Sequence, residues 1–378
     1  MLIKIKEAIF TPKFSLRNII LSLFLGFLVA YLTLMIMYGA SDASYVIKSI
    51  FVGDFYDSKS IARLMDKIVI LGFAGMSVLV GMKAGLLNIG VSGQMMFGAF
   101  VGYFVVRQMG TTDTGAILVV GFLVTVITAA FIAMISGVLK AYFKVNEVIT
   151  TIMMNWIVVY AIKYFAQNKS ASWYDSNNTD KIQLSQNHKN IDTVDPSNIL
   201  GIWYLAIIGI VLFISAALIL WFVIYKTSYG FKMQAVGMSQ AASEYSGYNV
   251  KLHQILSMTL SGAFAGMAGF SMYFLSKNYI IVGSAPIQEG FSGIAVALVA
   301  MNNPLALLAS AVVFGLLDGP TDGIVFGGFP SSIVQIFAGV ITYFVAISTL
   351  WIYLRPIQKY RDWKLIRNKP ISNMKGVK

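Results

Sequence analysis

The sequence predicts an all-α integral membrane protein with about ten transmembrane helices, and three observations lead to this fold class. Of the 378 residues, 57% are hydrophobic and only 12% are charged, whereas a soluble domain has about 25% charged residues. The apolar residues form long runs without the period-two alternation that a membrane barrel requires. Lys and Arg are concentrated near the two ends of the chain, as expected for cytoplasmic termini.

The predicted spans follow the apolar runs, because a helix needs roughly 20 apolar residues to cross the bilayer. The first run is longer than the apolar region of a signal peptide, so we expect it to be retained. The eighth and ninth spans are short and meet at Asn303-Pro304, since proline disfavours helix at the residue before it. The ten spans are predicted at 18–38, 64–82, 86–106, 114–139, 146–166, 200–225, 254–276, 289–301, 304–317 and 331–354.

The polar segments between the spans indicate one membrane domain over residues 1–378, with no separate soluble domain. Segment 167–199 has no basic excess and is predicted to be an external loop, and the mixed-charge segment 39–60 is predicted to be another. Segment 226–253 and the tail 355–378 are basic and are predicted to be cytoplasmic. Both termini are therefore expected on the cytoplasmic side.

A short internal repeat suggests two halves of five helices each. Phe73-Ala74-Gly75-Met76 recurs as Phe264-Ala265-Gly266-Met267, and each copy opens a span that leads to a glycine-rich polar break. Five spans in each half would give the halves opposite orientations, a frequent architecture of transporters. The corresponding broken helices are predicted near 85–98 and 289–304.

Polar residues within these breaks are the candidates for a solute path, because polar groups inside a membrane often mark one. The alternative is helix packing, in which small residues allow close approach and amides hydrogen-bond across helices. For Glu289 the alternative is a helix cap at the headgroup boundary. The candidate path residues are Asn88, Ser92, Gln94, Asn155, Glu289, Ser292 and Asn302.

The internal segment 227–254 is long and rich in small residues. An Ala-Ala-Ser-Glu run flanked by Gly237 and Gly247 predicts a short helix on the cytoplasmic surface, which another protein could dock on. An ordinary connecting loop is the alternative. In the span that follows, Gly262 and Gly266 have the four-residue spacing typical of tight helix packing.

Several kinds of chemistry have no support in the sequence. There is no P-loop sequence for nucleotide phosphates, no cysteine, and both histidines, His188 and His253, fall in polar segments. The spans contain almost no acids for a proton relay. The net charge of +12 is explained by membrane topology, so neither an enzyme, a metal site nor nucleic-acid binding is predicted.

Five motifs in order resemble one known family. They are Gly85-Leu-Leu-Asn-Ile-Gly-Val-Ser-Gly-Gln94, Asn146-Glu-Val-Ile-Thr-Thr151, Ala235-Val-Gly-Met-Ser-Gln-Ala-Ala-Ser-Glu244, Ser261-Gly-Ala-Phe-Ala-Gly-Met-Ala-Gly269 and Gly290-Phe-Ser-Gly-Ile-Ala-Val-Ala-Leu298 followed by Asn302-Asn-Pro304. Together they are similar to the permease subunits of bacterial ABC importers of the ribose and branched-chain amino acid type. The sequence looks closest to the nucleoside-importing, guanosine-type branch.

The resemblance implies a permease of the bacterial plasma membrane that imports nucleosides or related sugars by alternating access. It implies a surrounding lipid membrane and three protein partners: a cytoplasmic ATPase that holds ATP and Mg²⁺, a second permease chain, and an extracellular substrate-binding lipoprotein. It also implies that the 227–254 segment carries a coupling helix that docks on the ATPase. The coupling role then falls on Gly237, Ala241, Ala242, Glu244 and Gly247.

Three positions depart from the family pattern. Ser92 and Ser292 stand where similar permeases often have acids, and Met301 stands where a basic residue is usual. All three changes remove a charge, which suggests a more neutral path and leaves the choice of solute open. The alternative from another class is a secondary transporter driven by an ion gradient, because broken helices suit it equally well.

Overall fold

The computed structural model describes residues 12–52, 58–110, 113–168, 174–175, 178–183, 199–277, 279–281 and 283–318, with 333, 336, 339–341 and 343–344. The helices are α1 Pro12–Tyr38, α2 Ala40–Val52, α3 Ser58–Lys83, α4 Val91–Met109, α5 Thr114–Phe143, α6 Glu147–Asn168, α7 Ile199–Lys226, α8 Ser228–Met238, α9 Gln240–Tyr245, α10 Val250–Phe270, α11 Gln288–Val299 and α12 Pro304–Leu317. A π-helix, Ser271–Lys277, continues α10. The predicted tail 355–378 and most of the predicted tenth span lie outside the described residues.

Long apolar helices confirm a multi-helical membrane protein. Five are long and apolar enough to span a bilayer, and they coincide with predicted spans 2, 4, 5, 6 and 7: Ser60–Lys83, Thr114–Phe143, Glu147–Phe165, Trp203–Lys226 and Val250–Lys277. Shorter apolar helices coincide with spans 1, 8 and 9, at Leu23–Tyr38, Gln288–Val299 and Pro304–Leu317. Helix α4 occupies the predicted third span.

Helix α3 is the central element of the fold. In its apolar window 78% of the residues are buried, against 28–33% in α5, α6 and α7. It packs against α7, α10, α11 and α12, and Leu71, Phe73, Met76 and Leu79 on it are almost completely buried. Because α5, α6 and α7 keep apolar faces exposed, these helices lie at the periphery, where a bilayer or a second chain can cover them.

The predicted tight packing of α10 is confirmed. A Cβ atom at Gly262 would lie 2.7 Å from the carbonyl oxygen of Ala129 on α5, and one at Gly266 would lie 2.7 Å from the Cα atom of Val126. The two backbones thus approach to a distance that any side chain would prevent. The close contact fixes α10 against α5 along two helical turns.

A small sheet accompanies the helices and was not predicted. Strand β1 Tyr174–Asp175 pairs with β2 Asn178–Gln183, which pairs antiparallel with β3 Tyr279–Ile281. The sheet joins the predicted external loop 167–199 to residues 279–281, which follow the predicted seventh span. The described part of the fold is otherwise helical, in agreement with the predicted all-α class, and the sheet is a small addition to it. Strands β1 and β2 lie in a polar segment that was predicted as an external loop.

Segment 39–60 was predicted as a loop, and the structure corrects this to include helix α2. Ala43 and Val46 on α2 are fully buried and pack in a second apolar cluster with Leu34 of α1 and Leu317 of α12. Packing of this buried face stabilises α2 as a helix. The polar residues of the segment made the apolar face hard to recognise in the sequence.

We predict that Gly262→Ala lowers the free energy of unfolding by about 1–3 kcal/mol, because the added methyl group overpacks the α10–α5 contact. The measurement is thermal unfolding of the purified chain in detergent. Gly209→Ala is the matched control, since its Cβ atom would lie 3.5 Å from Val69, an ordinary contact distance. Equal midpoints for the two variants would contradict the packing argument.

Candidate functional site

The first predicted break lies between α3 and α4, and it is shorter than predicted. It covers residues 84–90, and α4 then runs without interruption through Gly93 and Gly98. Gly85 has a φ of +72°, a conformation that favours glycine. The amide of Leu86 donates to the carbonyl of Gly81 over 2.9 Å, which folds the chain back on the end of α3.

The side chain of Asn88 is the centre of a buried hydrogen-bond network in this break. Its Nδ2 donates to Gln94 Oε1 at 2.9 Å and to Ser261 Oγ at 2.8 Å. Its Oδ1 accepts from the Gly90 amide at 2.9 Å and from Gln94 Nε2 at 3.0 Å. Ser261 in turn donates to the Ser77 carbonyl. We call Asn88, Gln94, Ser77 and Ser261 the Asn88 network; all four are buried.

Asn155 attaches helix α6 to the same break. Its Oδ1 accepts from the Gly93 amide at 2.8 Å, and its Nδ2 donates to the Ile89 carbonyl at 3.0 Å. The Ile89 amide donates to Thr151 Oγ1 at 3.4 Å. Asn155 therefore has the interhelical role that was one of its two interpretations. Contact with solute remains a prediction for it.

The two predicted breaks meet at Ser92. The Ser92 hydroxyl donates to the carbonyl of Ile287 at 2.7 Å, and a Cβ atom at Gly290 would lie 2.7 Å from Ser92 Cα. The first turn of α4 is thus packed against the first turn of α11. Ser292, the other serine that replaces an acid, is half-buried on α11 two residues further along.

Glu289 belongs to a cluster of charges at the start of α11. Its Oε1 lies 3.3 Å from Lys67 Nζ and 3.8 Å from Lys277 Nζ, and Lys67 Nζ also lies 2.9 Å from Asp318 Oδ2. The cluster joins α3, α11, α12 and the π-helix. Glu289 thus has two cationic partners besides its position at the N-terminus of α11, so a cap alone does not describe it. Sequence reasoning missed Lys67, although a charge within an apolar span is a recognised signal.

The second break covers residues 300–303, so α11 itself is unbroken from 288 to 299. Met301 and Asn302 have φ values of +50° and +54°, uncommon for residues with side chains. Asn303 caps α12 by accepting from the Leu305 amide at 3.0 Å, and Pro304 begins the helix as predicted. In the described part of the chain, the buried Oδ1 of Asn302 has no hydrogen-bond partner.

The predicted coupling segment forms two helices, α8 and α9, where one was expected. Ala241, Ala242 and Glu244 are exposed on α9, and Gly247 is exposed beyond its end. Gly237, by contrast, lies in α8 and is half-buried against the end of α3. Sequence reasoning missed two exposed apolar residues: Met238 at the end of α8 is 65% exposed, and Tyr245 at the end of α9 is 95% exposed. The surface is therefore more apolar than the small residues alone suggest.

The charge cluster and the coupling segment lie far apart along α3. Lys67 lies in the first half of this helix, and the Lys83–Gly85 turn, which touches Gly237, lies at its C-terminal end. Sixteen residues separate Lys67 from Lys83, which is about 24 Å at 1.5 Å per residue. The separation is close to a bilayer core of roughly 30 Å, so the candidate site extends across the width of a membrane.

Polar breaks in the core of a helical membrane protein are typical of transporters. The chain belongs to the family of permease components of branched-chain amino acid transport systems, whose model matches residues 60–346. It is 34% identical to the guanosine ABC transporter permease protein NupP of Bacillus subtilis, over 82% of this chain and 86% of that protein. It is 30% identical to the nucleoside ABC transporter permease protein NupB of Lactococcus lactis, over 88% and 90%. Its identity to the glucose ABC transporter permease protein TsgB13 of Haloferax volcanii is 25%, over 79% of each chain.

We predict that Asn88→Asp lowers the free energy of unfolding by about 2 kcal/mol or more. The carboxyl group removes two donated hydrogen bonds from a buried network and brings a charge that has no counter-ion in it. Unfolding in detergent, followed by circular dichroism, measures the effect. Asn249→Asp is the control, because Asn249 is an exposed N-cap of α10 and aspartate caps equally well. A difference below about 0.5 kcal/mol between the two variants would contradict the role given to Asn88.

Proposed function

We propose that this chain is the membrane-spanning permease of an ATP-binding cassette importer that carries nucleosides into a bacterial cell. The exposed helix α9 carries the proposal, because the exposed Met238 just before it and Tyr245 at its end are residue types that are enriched where proteins dock. Membership of a permease family and the names of the nucleoside relatives support it. ATP and Mg²⁺ are bound by the partner ATPase.

The proposed architecture has ten spans in two inverted halves, with both termini in the cytoplasm. The basic segment around α8 and α10, with Lys226, Lys232 and Lys251, supports a cytoplasmic position for α9. The proposed partners are the ATPase, a second permease chain that covers the exposed apolar helices, and an external binding lipoprotein. The Lys67 cluster lies about 24 Å along α3 from the coupling segment, which supports a position for the cluster on the external side.

The proposed path passes the polar breaks, with Asn88, Ser92, Gln94 and Asn155 on one side and Glu289, Ser292 and Asn302 on the other. In this structure the first four side chains bond to neighbouring groups. A solute can therefore bind these side chains only if they release their present hydrogen-bond partners. The conformational change of alternating access would allow that release. Neutral amide and hydroxyl groups suit the hydroxyls and base edges of a nucleoside.

The direct test is uptake of radiolabelled guanosine by proteoliposomes that contain this chain with its ATPase, second permease and binding lipoprotein. We expect uptake that needs ATP, persists when ion gradients are collapsed, and is not competed by ribose or glucose. Uptake by this chain without ATP, driven by an ion gradient, would replace the proposal with a secondary transporter. Competition by ribose or glucose would keep the importer and change its substrate.

We further predict that Ala242→Trp abolishes ATP-dependent uptake while membrane insertion stays normal, because the bulky side chain blocks the docking surface of α9. Co-purification with the ATPase should fall in parallel. Ala40→Trp, at an exposed alanine on α2, is the control for the substitution itself. Normal docking and uptake in Ala242→Trp would remove the coupling role from α9.

A further inference from the structure

Two glycine backbones touch where the coupling segment meets the first break. A Cβ atom at Gly85 would lie 2.9 Å from the carbonyl oxygen and 3.0 Å from the Cα atom of Gly237. A Cβ atom at Gly237 would contact the carbonyl oxygen of Lys83 and would lie 2.8 Å from the Gly85 amide nitrogen. The atoms on both sides belong to the backbone, so no flexible side chain can move aside.

The α8 side of this contact is rigid. Met233 and Val236 are buried, and Gln234 Nε2 donates to the carbonyl of Ile224 at 2.9 Å, which holds α8 on α7. The ring of Tyr229 stacks on that of His253 at 5.8 Å, which holds α8 on α10. Helix α8 can therefore transmit a displacement along its length.

A single residue links α8 to the exposed helix α9. Ser239 ends α8 by donating its amide to the Ala235 carbonyl, and its Oγ accepts from the Ala242 amide at 3.3 Å at the start of α9. Because no loop separates the two helices, a displacement of α9 is expected to displace α8 as well. Gly237 lies two residues before this link.

The Gly85 side leads directly to the Asn88 network. Residues 81–86 form a closed turn through the bond from Leu86 to Gly81. A Cβ atom at Gly81 would lie 3.6 Å from Asn88 Cβ, so the turn packs against the base of that side chain. Displacement of the turn therefore moves Asn88 relative to Gln94 and Ser261.

We propose that the Gly85–Gly237 contact is the joint through which movement of α9 reaches the Asn88 network, so that both glycines are positioning residues for transport. The inference rests on the proposed function, since it needs an ATPase that moves α9. A covalent route also exists, because α10 follows α9 in the chain and carries Ser261. The glycine joint adds a second route, which reaches the network through Asn88 and not through Ser261.

The main test is Gly237→Ala in the full transport complex, with Gly209→Ala as the matched glycine-to-alanine control in α7. We expect Gly237→Ala to insert into the membrane and to assemble the complex, as judged by co-purification of the ATPase. Guanosine uptake should fall about tenfold or more, and stimulation of hydrolysis by the loaded binding lipoprotein should be lost, because the overpacked contact changes the position of α8. Uptake and stimulation at the level of Gly209→Ala would overturn the proposal.

A second pair of variants keeps the proposal testable if Gly237→Ala fails to assemble. Gly85→Asn retains a residue that tolerates positive φ but places a side chain against Gly237. Gly110→Asn is its control, because Gly110 has a φ of +61° with no atom within 4 Å of its Cβ position. We expect loss of stimulated hydrolysis and uptake only in Gly85→Asn, and equal behaviour of the two variants would overturn the joint. If the wild-type complex itself shows no ATP-dependent uptake, the proposed function fails instead.

Discussion

The fold depends on how the chain satisfies the backbone groups that the break at 84–90 leaves without helical partners. In a hydrocarbon environment such groups must find partners inside the protein. Asn88 and Asn155 provide them, because their side-chain oxygens accept from the Gly90 and Gly93 amides and the Asn155 amide donates to the Ile89 carbonyl. Helices α3, α4, α6 and α10 are thereby held around one short stretch of irregular backbone.

Close packing of helices supports this polar centre. The amide–amide pairs require that the helices approach within side-chain reach, and glycines at the contacts allow it. Gly93 lies so close to α6 that a Cβ atom there would be 2.8 Å from Asn155 Cα, and Gly266 brings α10 equally near to α5. Small residues and hydrogen bonds thus stabilise the same helix contacts. The residues that pack the helices together are also the ones proposed to line the solute path.

Local composition predicted the features that depend on one short segment. The polar residues around Asn88 are anomalous within an apolar run, and Pro304 predicts its own hinge, so both breaks were predicted, although the structure confines them to 84–90 and 300–303. The ion pairs of Lys67 could not be predicted, since its partners Glu289 and Asp318 are 222 and 251 residues away. For the same reason the sequence indicated a coupling role for Gly237 but not its contact with Gly85.

The contact between the first turns of α4 and α11 at Ser92 also explains why a neutral residue suits this position. Its hydroxyl donates to the Ile287 carbonyl, and a deprotonated carboxylate there could not donate and would face a carbonyl oxygen. Lys67 and Lys277, the cations of the cluster at the start of α11, are already paired with Glu289 and Asp318. An acid at position 92 would therefore compete with these two acids for the same cations. Position 92 therefore has a neutral hydrogen-bonding group, and the charges near the start of α11 are confined to the ion pairs of the Lys67 cluster.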